Sequence, residues 1–244
     1  MNLKYVPDSN VVPTRYRWII RAMFCGCIAF SYLAYFVGLA SDRSVCLAMV
    51  NNVFLAYLPV EMSLHVSWQR QAFVFWGMFV AWLLFYPNAP YVLTDYFHLA
   101  HVNPYVAKEG GKSIRIVRPD LRLWLTFTVL SASAMVSAIF GAWSLDHVTG
   151  HLQARIRRHD SGWRVLFVAV LAALSSVGIY FGRFPRIHSV HLLTNPCHTL
   201  GKMATSCSLN MFEFVILLTL IQLVMWGCLR LLRNLYANFP TTQQ

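Results

Sequence analysis

Six long apolar runs, separated by short stretches that carry most of the charge, set the pattern of this chain. They fall at about residues 18–40, 46–66, 71–86, 121–145, 163–181 and 210–232. An α-helix needs roughly 20 apolar residues to cross the hydrocarbon core of a bilayer, and most of the runs supply them. The third is short and has to borrow length from the residues C-terminal to it. The first is longer than the apolar core of a signal peptide and ends in no small-residue cleavage site, so it is expected to stay as an uncleaved span. No repeat, linker or low-complexity tract divides the chain. The pattern therefore predicts an all-α fold: one polytopic membrane domain over residues 1–244, with about six transmembrane helices and a half-helix after the third.

That half-helix comes from the stretch Trp82 to His101, WLLFYPNAPYVLTDYFHLAH. Pro87 and Pro90 cannot sit inside one straight helix, because each lacks an amide donor and crowds the preceding turn. The segment beyond them, about 88–101, is too short and too polar to span alone, and reads as re-entrant or interfacial. Broken backbone and ionisable groups survive at membrane depth only where protein or a wet cavity satisfies them.

Composition agrees with a membrane protein. The chain is 57% hydrophobic with a mean hydropathy of +0.52, and only 12% of its residues are charged, about half the share of a soluble domain. The formal net charge of +11 would point to nucleic acid in a soluble protein. Here the basic residues flank apolar runs and no nucleic-acid module is visible, so membrane lipids are the expected partner and nucleic acid is not. The expected location is the bacterial inner (cytoplasmic) membrane. Lys and Arg divide almost equally between the two sides. The dense cluster Arg155–Arg158 and the basic N-terminus favour a cytoplasmic N-terminus. Cys25, Cys27 and Cys228 lie in spans and Cys46 at the edge of one. Cys197 and Cys207 share a loop, and whether they pair is open.

Candidate chemistry gathers around the proline break. Counted at 100° per residue, Tyr91, Thr94, Asp95, His98 and His101 fall within about a third of a helix circumference. This is either a polar wall with Asp95 facing His98 or a cation, or an interfacial helix turning its polar face to head groups. In the second span Asn51, Leu58, Glu61 and His65 share a face, and Pro59 frees a carbonyl one turn earlier. Asn51 and Asn52 are natural interhelical donors. The fifth span ends in Gly178-Ile-Tyr180-Phe-Gly182-Arg183-Phe-Pro-Arg186, where the two glycines permit close helix approach. Arg183 either snorkels or pairs with Asp95 or Glu61. The pairs His98/His101, His147/His151 and His188/His191 have helical spacing, but without HExxH or CxxC no metal and no cofactor is expected. His147, His151 and His159 read as a basic, solvated loop.

WLLFYPNAPYVLTDYFHL, GIYFGRFPR and the later Leu-Thr-Asn195-Pro196 resemble the bacterial membrane-protein family catalogued as domain of unknown function thirteen sixty-one, from about Asn51 onward. The family's Asn88, Pro90, Tyr91, Asp95, Gly182, Arg183 and Arg186 are all present. Relatives usually carry Asn and Asp where this chain has His188 and His191, and an acid where it has Arg122. The resemblance implies a polytopic membrane protein and assigns no activity.

The reading these features favour is a membrane protein that binds or transports a small solute or lipid head group. Its candidate site residues are Asn88, Tyr91, Asp95, His98, Arg183, Arg186 and Glu61. Six spans without an inverted repeat would call for a homodimer. The alternatives are an intramembrane enzyme acting on a lipid, with Asp95 and His98 as an acid–base pair, and a structural or assembly subunit of a membrane complex. With the N-terminus inside, a reporter fused near His159 reports cytoplasm and one near Asn195 reports periplasm. The reverse pattern inverts the chain.

Overall fold

The computed structural model describes residues 12–38, 43–67, 70–102, 105–107, 115–117, 119–158, 160–185, 201 and 208–238. Its helices are α1 (Thr14–Val37), α2 (Arg43–Ser63), α3 (Ala72–Phe85), α4 (Asn88–Tyr91), α5 (Leu121–Ile156), α6 (Ser161–Arg183) and α7 (Leu209–Asn238). A 3-10 segment, Val92–Val102, continues α4. Among the described residues six helical stretches are long and apolar enough to cross a membrane, and the third of them, Ala72–Ala100, runs through the proline break. The short third run does borrow length from the segment beyond it.

Two features depart from the sequence expectation. Strands β1 (Tyr105–Ala107) and β2 (Arg115–Val117) pair antiparallel, with Tyr105 opposite Val117. Their Val and Ile residues favour extended backbone, and so short a ladder leaves the fold in the α-helical membrane class. The fourth span was expected to stop at residue 145, yet α5 runs on to Ile156. Leu145, Val148 and Leu152 continue an apolar stripe at helical spacing and are buried in one core cluster, so the helix keeps a packed face after its composition turns polar.

The helices pack as two compact units. The first comprises Val12–Leu58 and Asn88–Phe140; the second comprises the described residues of Pro59–Pro87 and Gly141–Gln244. The borders fall at Pro59, Pro87 and Gly141. In the first unit α1 buries Ile20, Phe24, Cys27, Ser31 and Ala34, alternating three and four residues apart. The Phe24 ring lies 5.4 Å from Tyr57 and 5.9 Å from Phe140. The opposite face shows Trp18, Ile19, Leu33 and Phe36 to the outside, as a lipid-facing helix should.

The second unit is built on an aromatic column. Phe75, Phe79, Trp82 and Tyr86 line one face of α3, with successive ring centroids 6.3, 6.0 and 4.7 Å apart. They pack on Leu145, Val148 and Leu152 of α5, Val168 and Leu171 of α6, and Trp226 of α7. Both polar atoms at the foot of the column are used. Trp82 Nε1 donates to Ser144 Oγ at 2.8 Å, and Ser144 donates on to the Pro59 carbonyl at 3.3 Å. Tyr86 donates to Gln222 Oε1 at 3.2 Å, while Gln222 Nε2 donates to Ser176 Oγ at 2.9 Å and to the Ala172 carbonyl at 3.2 Å. Side-chain hydrogen bonds across apolar helices of this kind are worth roughly 0.6–2 kcal/mol each.

The glycine pair of α6 proves unequal. A Cβ on Gly178 would lie 3.0 Å from Pro87 Cγ, whereas one on Gly182 meets nothing among the described residues within 4 Å. Among these residues close approach is needed at Gly178, and its neighbour there is the rigid ring of the break. Gly182→Ala should therefore hold or raise stability, since alanine favours a helix by about 1 kcal/mol over glycine. Gly178→Val should lower it by about 1–3 kcal/mol through overpacking. Thermal melts of the two detergent-purified variants check the contrast; equal shifts would mean Pro87 yields.

Candidate functional site

The break generates the first candidate site. The chain leaves α3 at Phe85, passes Pro87, and re-enters helix at Asn88 with Pro90 inside the first turn, where its missing amide costs nothing. From Val92 the winding is 3-10 rather than α. At three residues per turn, side chains three apart eclipse one another. Asp95 and His98 therefore share one row, and Tyr91 and Thr94 belong to another, which replaces the single broad stripe expected at 100° per residue; the His101 side chain lies outside the described residues.

Asp95 is fully buried. Asn52 Nδ2, reaching from α2, donates to its Oδ2 at 2.7 Å. This is the interhelical donor role expected of that asparagine pair. His98 Nδ1 lies 2.9 Å from the Asp95 backbone carbonyl and 3.6 Å from its Oδ1. A carbonyl only accepts, so Nδ1 carries the hydrogen of that contact. Thr94 Oγ1 donates to the Tyr91 carbonyl at 2.7 Å and so closes the junction between α4 and the 3-10 segment. Asn88 and Tyr91, the two ends of α4, are half-buried.

The remaining predicted site residues belong to the second unit or lie outside the described residues. Glu61 belongs to the second unit, its Oε1 3.5 Å from His65 Nε2 one turn on. Arg183 closes the last turn of α6, also in the second unit. Arg186, His188, His191, Asn195, Cys197 and Cys207 lie outside the described residues. The structure thus brings Asp95 and His98 together with Asn52, within the first unit.

The second unit holds a charge centre that sequence reasoning missed. Asp146 is 5% exposed and sits where α5 outlasts its apolar run. Arg164, in the first turn of α6, donates to Asp146 Oδ1 from Nε at 3.1 Å and from Nη2 at 2.7 Å, and from Nη2 to the Asp146 carbonyl at 2.9 Å. Trp226 Nε1 donates to the same Oδ1 at 2.9 Å, and Arg233 Nη1 donates to Oδ2 at 2.7 Å. One carboxylate thereby ties α5, α6 and α7 together. His147 and His151, expected in a solvated loop, are instead in α5. The Trp143 ring stacks on His147 at 5.1 Å, and the two histidine Nε2 atoms face each other at 3.3 Å. His151 is 6% exposed, and its Nδ1 has no hydrogen-bond partner among the described residues. The signal that was available is the stripe Leu145, Val148, Leu152, which carries the helix, and Asp146 with it, past the apolar run. Among the described residues no three His, Cys, Asp or Glu side chains converge on a common point.

Residues 51–225 match the family model described as Protein of unknown function (DUF1361). The chain belongs to this family. The match takes in both buried carboxylates and ends just before Trp226. No curated protein and no solved structure matches the chain.

The two arginines on Asp146 should differ in weight. Arg164 is as buried as its partner, whereas the Arg233 side chain is 47% exposed. Breaking a buried ion pair costs about 3–5 kcal/mol, and a charged hydrogen bond about 1.5–3. Arg164→Gln should therefore destabilise by about 3–5 kcal/mol and Arg233→Gln by about 1–2, read from melting of detergent-solubilised protein. Equal losses would show that Asp146 does not depend on the buried contact.

Proposed function

We propose that this protein binds, and in transport moves, a small solute or a lipid head group at Asp95. The observation that supports it is the fully buried Asp95 carboxylate, held by Asn52 of α2 and lying over His98 at a break in the third crossing. An acid at that depth is expensive and marks a ligand or ion path more often than packing glue. Discontinuous helices are where transporters place such sites. Asn88 and Tyr91 flank the same junction and supply further polar contacts. Glu61, Arg183 and Arg186 are not needed for this reading. The protein belongs, in this proposal, in the cell inner membrane with its N-terminus in the cytoplasm, and works as a homodimer.

A second reading is an intramembrane enzyme acting on a lipid. The carbonyl-anchored His98 favours it, because an imidazole fixed at Nδ1 presents Nε2 in one direction for proton transfer. A structural or assembly role for the same residues is the outcome if neither holds.

Asp95→Asn is the discriminating change. The amide oxygen still accepts from Asn52 while the charge is lost, and the variant's level and melting are compared with wild type. In a strain lacking the gene, profiling of lipids and metabolites should show a species that changes, and Asp95→Asn should fail to restore it. A restored profile at wild-type protein level would remove Asp95 from the function. A changed lipid product, rather than a misplaced solute, would favour the enzyme.

A further inference from the structure

The Asp146 centre organises one end of the second unit, and that end carries far more positive charge than the carboxylate can absorb. α5 ends at Ile156 and is followed by Arg157 and Arg158; α6 begins at Ser161. Arg230 and Arg233 come from the last turns of α7, brought there by the bonds of Trp226 and Arg233 to Asp146. Arg155 Nη1 donates to the Arg70 carbonyl at 3.3 Å, which adds the segment entering α3. Asp146 is answered by Arg164 and Arg233. Arg70, Arg157, Arg158 and Arg230 stand at the same end. Arg70, Arg157 and Arg158 are exposed, and so is the acid Asp160.

The arginines are also held in a particular way. Arg230 lies over the Trp226 ring at 5.1 Å, Arg158 over Trp163 at 5.0 Å and Arg155 over Phe75 at 5.8 Å. Stacking on a ring covers one face of a guanidinium and leaves its in-plane N–H groups directed outward. Planar, pre-positioned N–H pairs suit a phosphate. Depth suits a lipid rather than a soluble anion. α5 has 36 residues, or about 54 Å of helix, against about 30 Å of hydrocarbon. Its last turns therefore reach the head-group layer, at the level where tryptophan and arginine anchor helices.

We propose that this end of the second unit is a binding site for the phosphate of anionic phospholipids, with Arg157, Arg158 and Arg230 making the contacts. It is independent of the Asp95 reading. Arg164 and Arg233 hold the platform and do not contact the lipid. Its consequence is that this end faces the more anionic leaflet.

The test uses the full-length protein in detergent, titrated with phosphatidylglycerol or phosphatidylcholine and read by native mass spectrometry. Wild type should retain phosphatidylglycerol at least tenfold better, and high salt should erase the difference. Each surface arginine contributes about 1 kcal/mol to such attraction, or about fivefold. Arg157→Gln/Arg158→Gln/Arg230→Gln should thus lose the preference by tenfold or more, whereas Arg15→Gln on α1 should leave it unchanged. A triple variant that melts as wild type and keeps the preference within twofold overturns the site. So does displacement of the lipid by millimolar inorganic phosphate, which would make it a soluble-anion site. Should the triple variant fail to fold, Arg157→Gln alone, at an exposed position, decides by the same twofold limit.

Discussion

Burying a carboxylate in an apolar bundle is tolerable only where cations or donors meet it, and Asp146 is met from two other helices at once. Its Oδ1 takes Arg164 and Trp226, and its Oδ2 takes Arg233. Because those donors stand on α6 and α7, the pairing fixes how far each helix extends relative to the end of α5. Leu145 and Val148 on one side of Asp146 and Trp226 on the other belong to the core that the aromatic column of α3 fills. Between apolar helices in lipid there is little hydrophobic drive to association. Specific polar contacts such as this one, and the Tyr86–Gln222–Ser176 chain, therefore decide which helix faces meet.

The other buried acid has a different backbone setting. Asp95 accepts from Asn52, lies 3.6 Å from the His98 ring nitrogen, and stands on 3-10 backbone rather than within a long α-helix. The two centres lie in different units of the chain.

The features legible in the sequence are the local ones. The six crossings announce themselves by apolar length, and the break by Pro87 and Pro90, because both signals lie within one stretch of chain. Asn52 as a donor and Asp95 as its neighbourhood's acid were readable as residue types in apolar surroundings. The Asp146 centre was not, because its arginines lie 18 and 87 residues away and each looks like an ordinary loop or helix-end cation. His147 and His151 were misplaced because composition was weighed over periodicity at the end of α5. The shared row of Asp95 and His98 was missed because the helix type changes after Tyr91, and no residue in VLTDYFHLAHV names that change.

The 3-10 segment has a geometric property of its own. It is 11 residues long, where runs beyond three or four residues are uncommon, and each residue advances about 2.0 Å instead of about 1.5 Å. Relaxation of Val92–Val102 to α geometry would shorten it by about 5 Å and turn His98 by about 60° relative to Asp95. A change in winding alone would thus carry the imidazole around the helix axis relative to the carboxylate three residues before it.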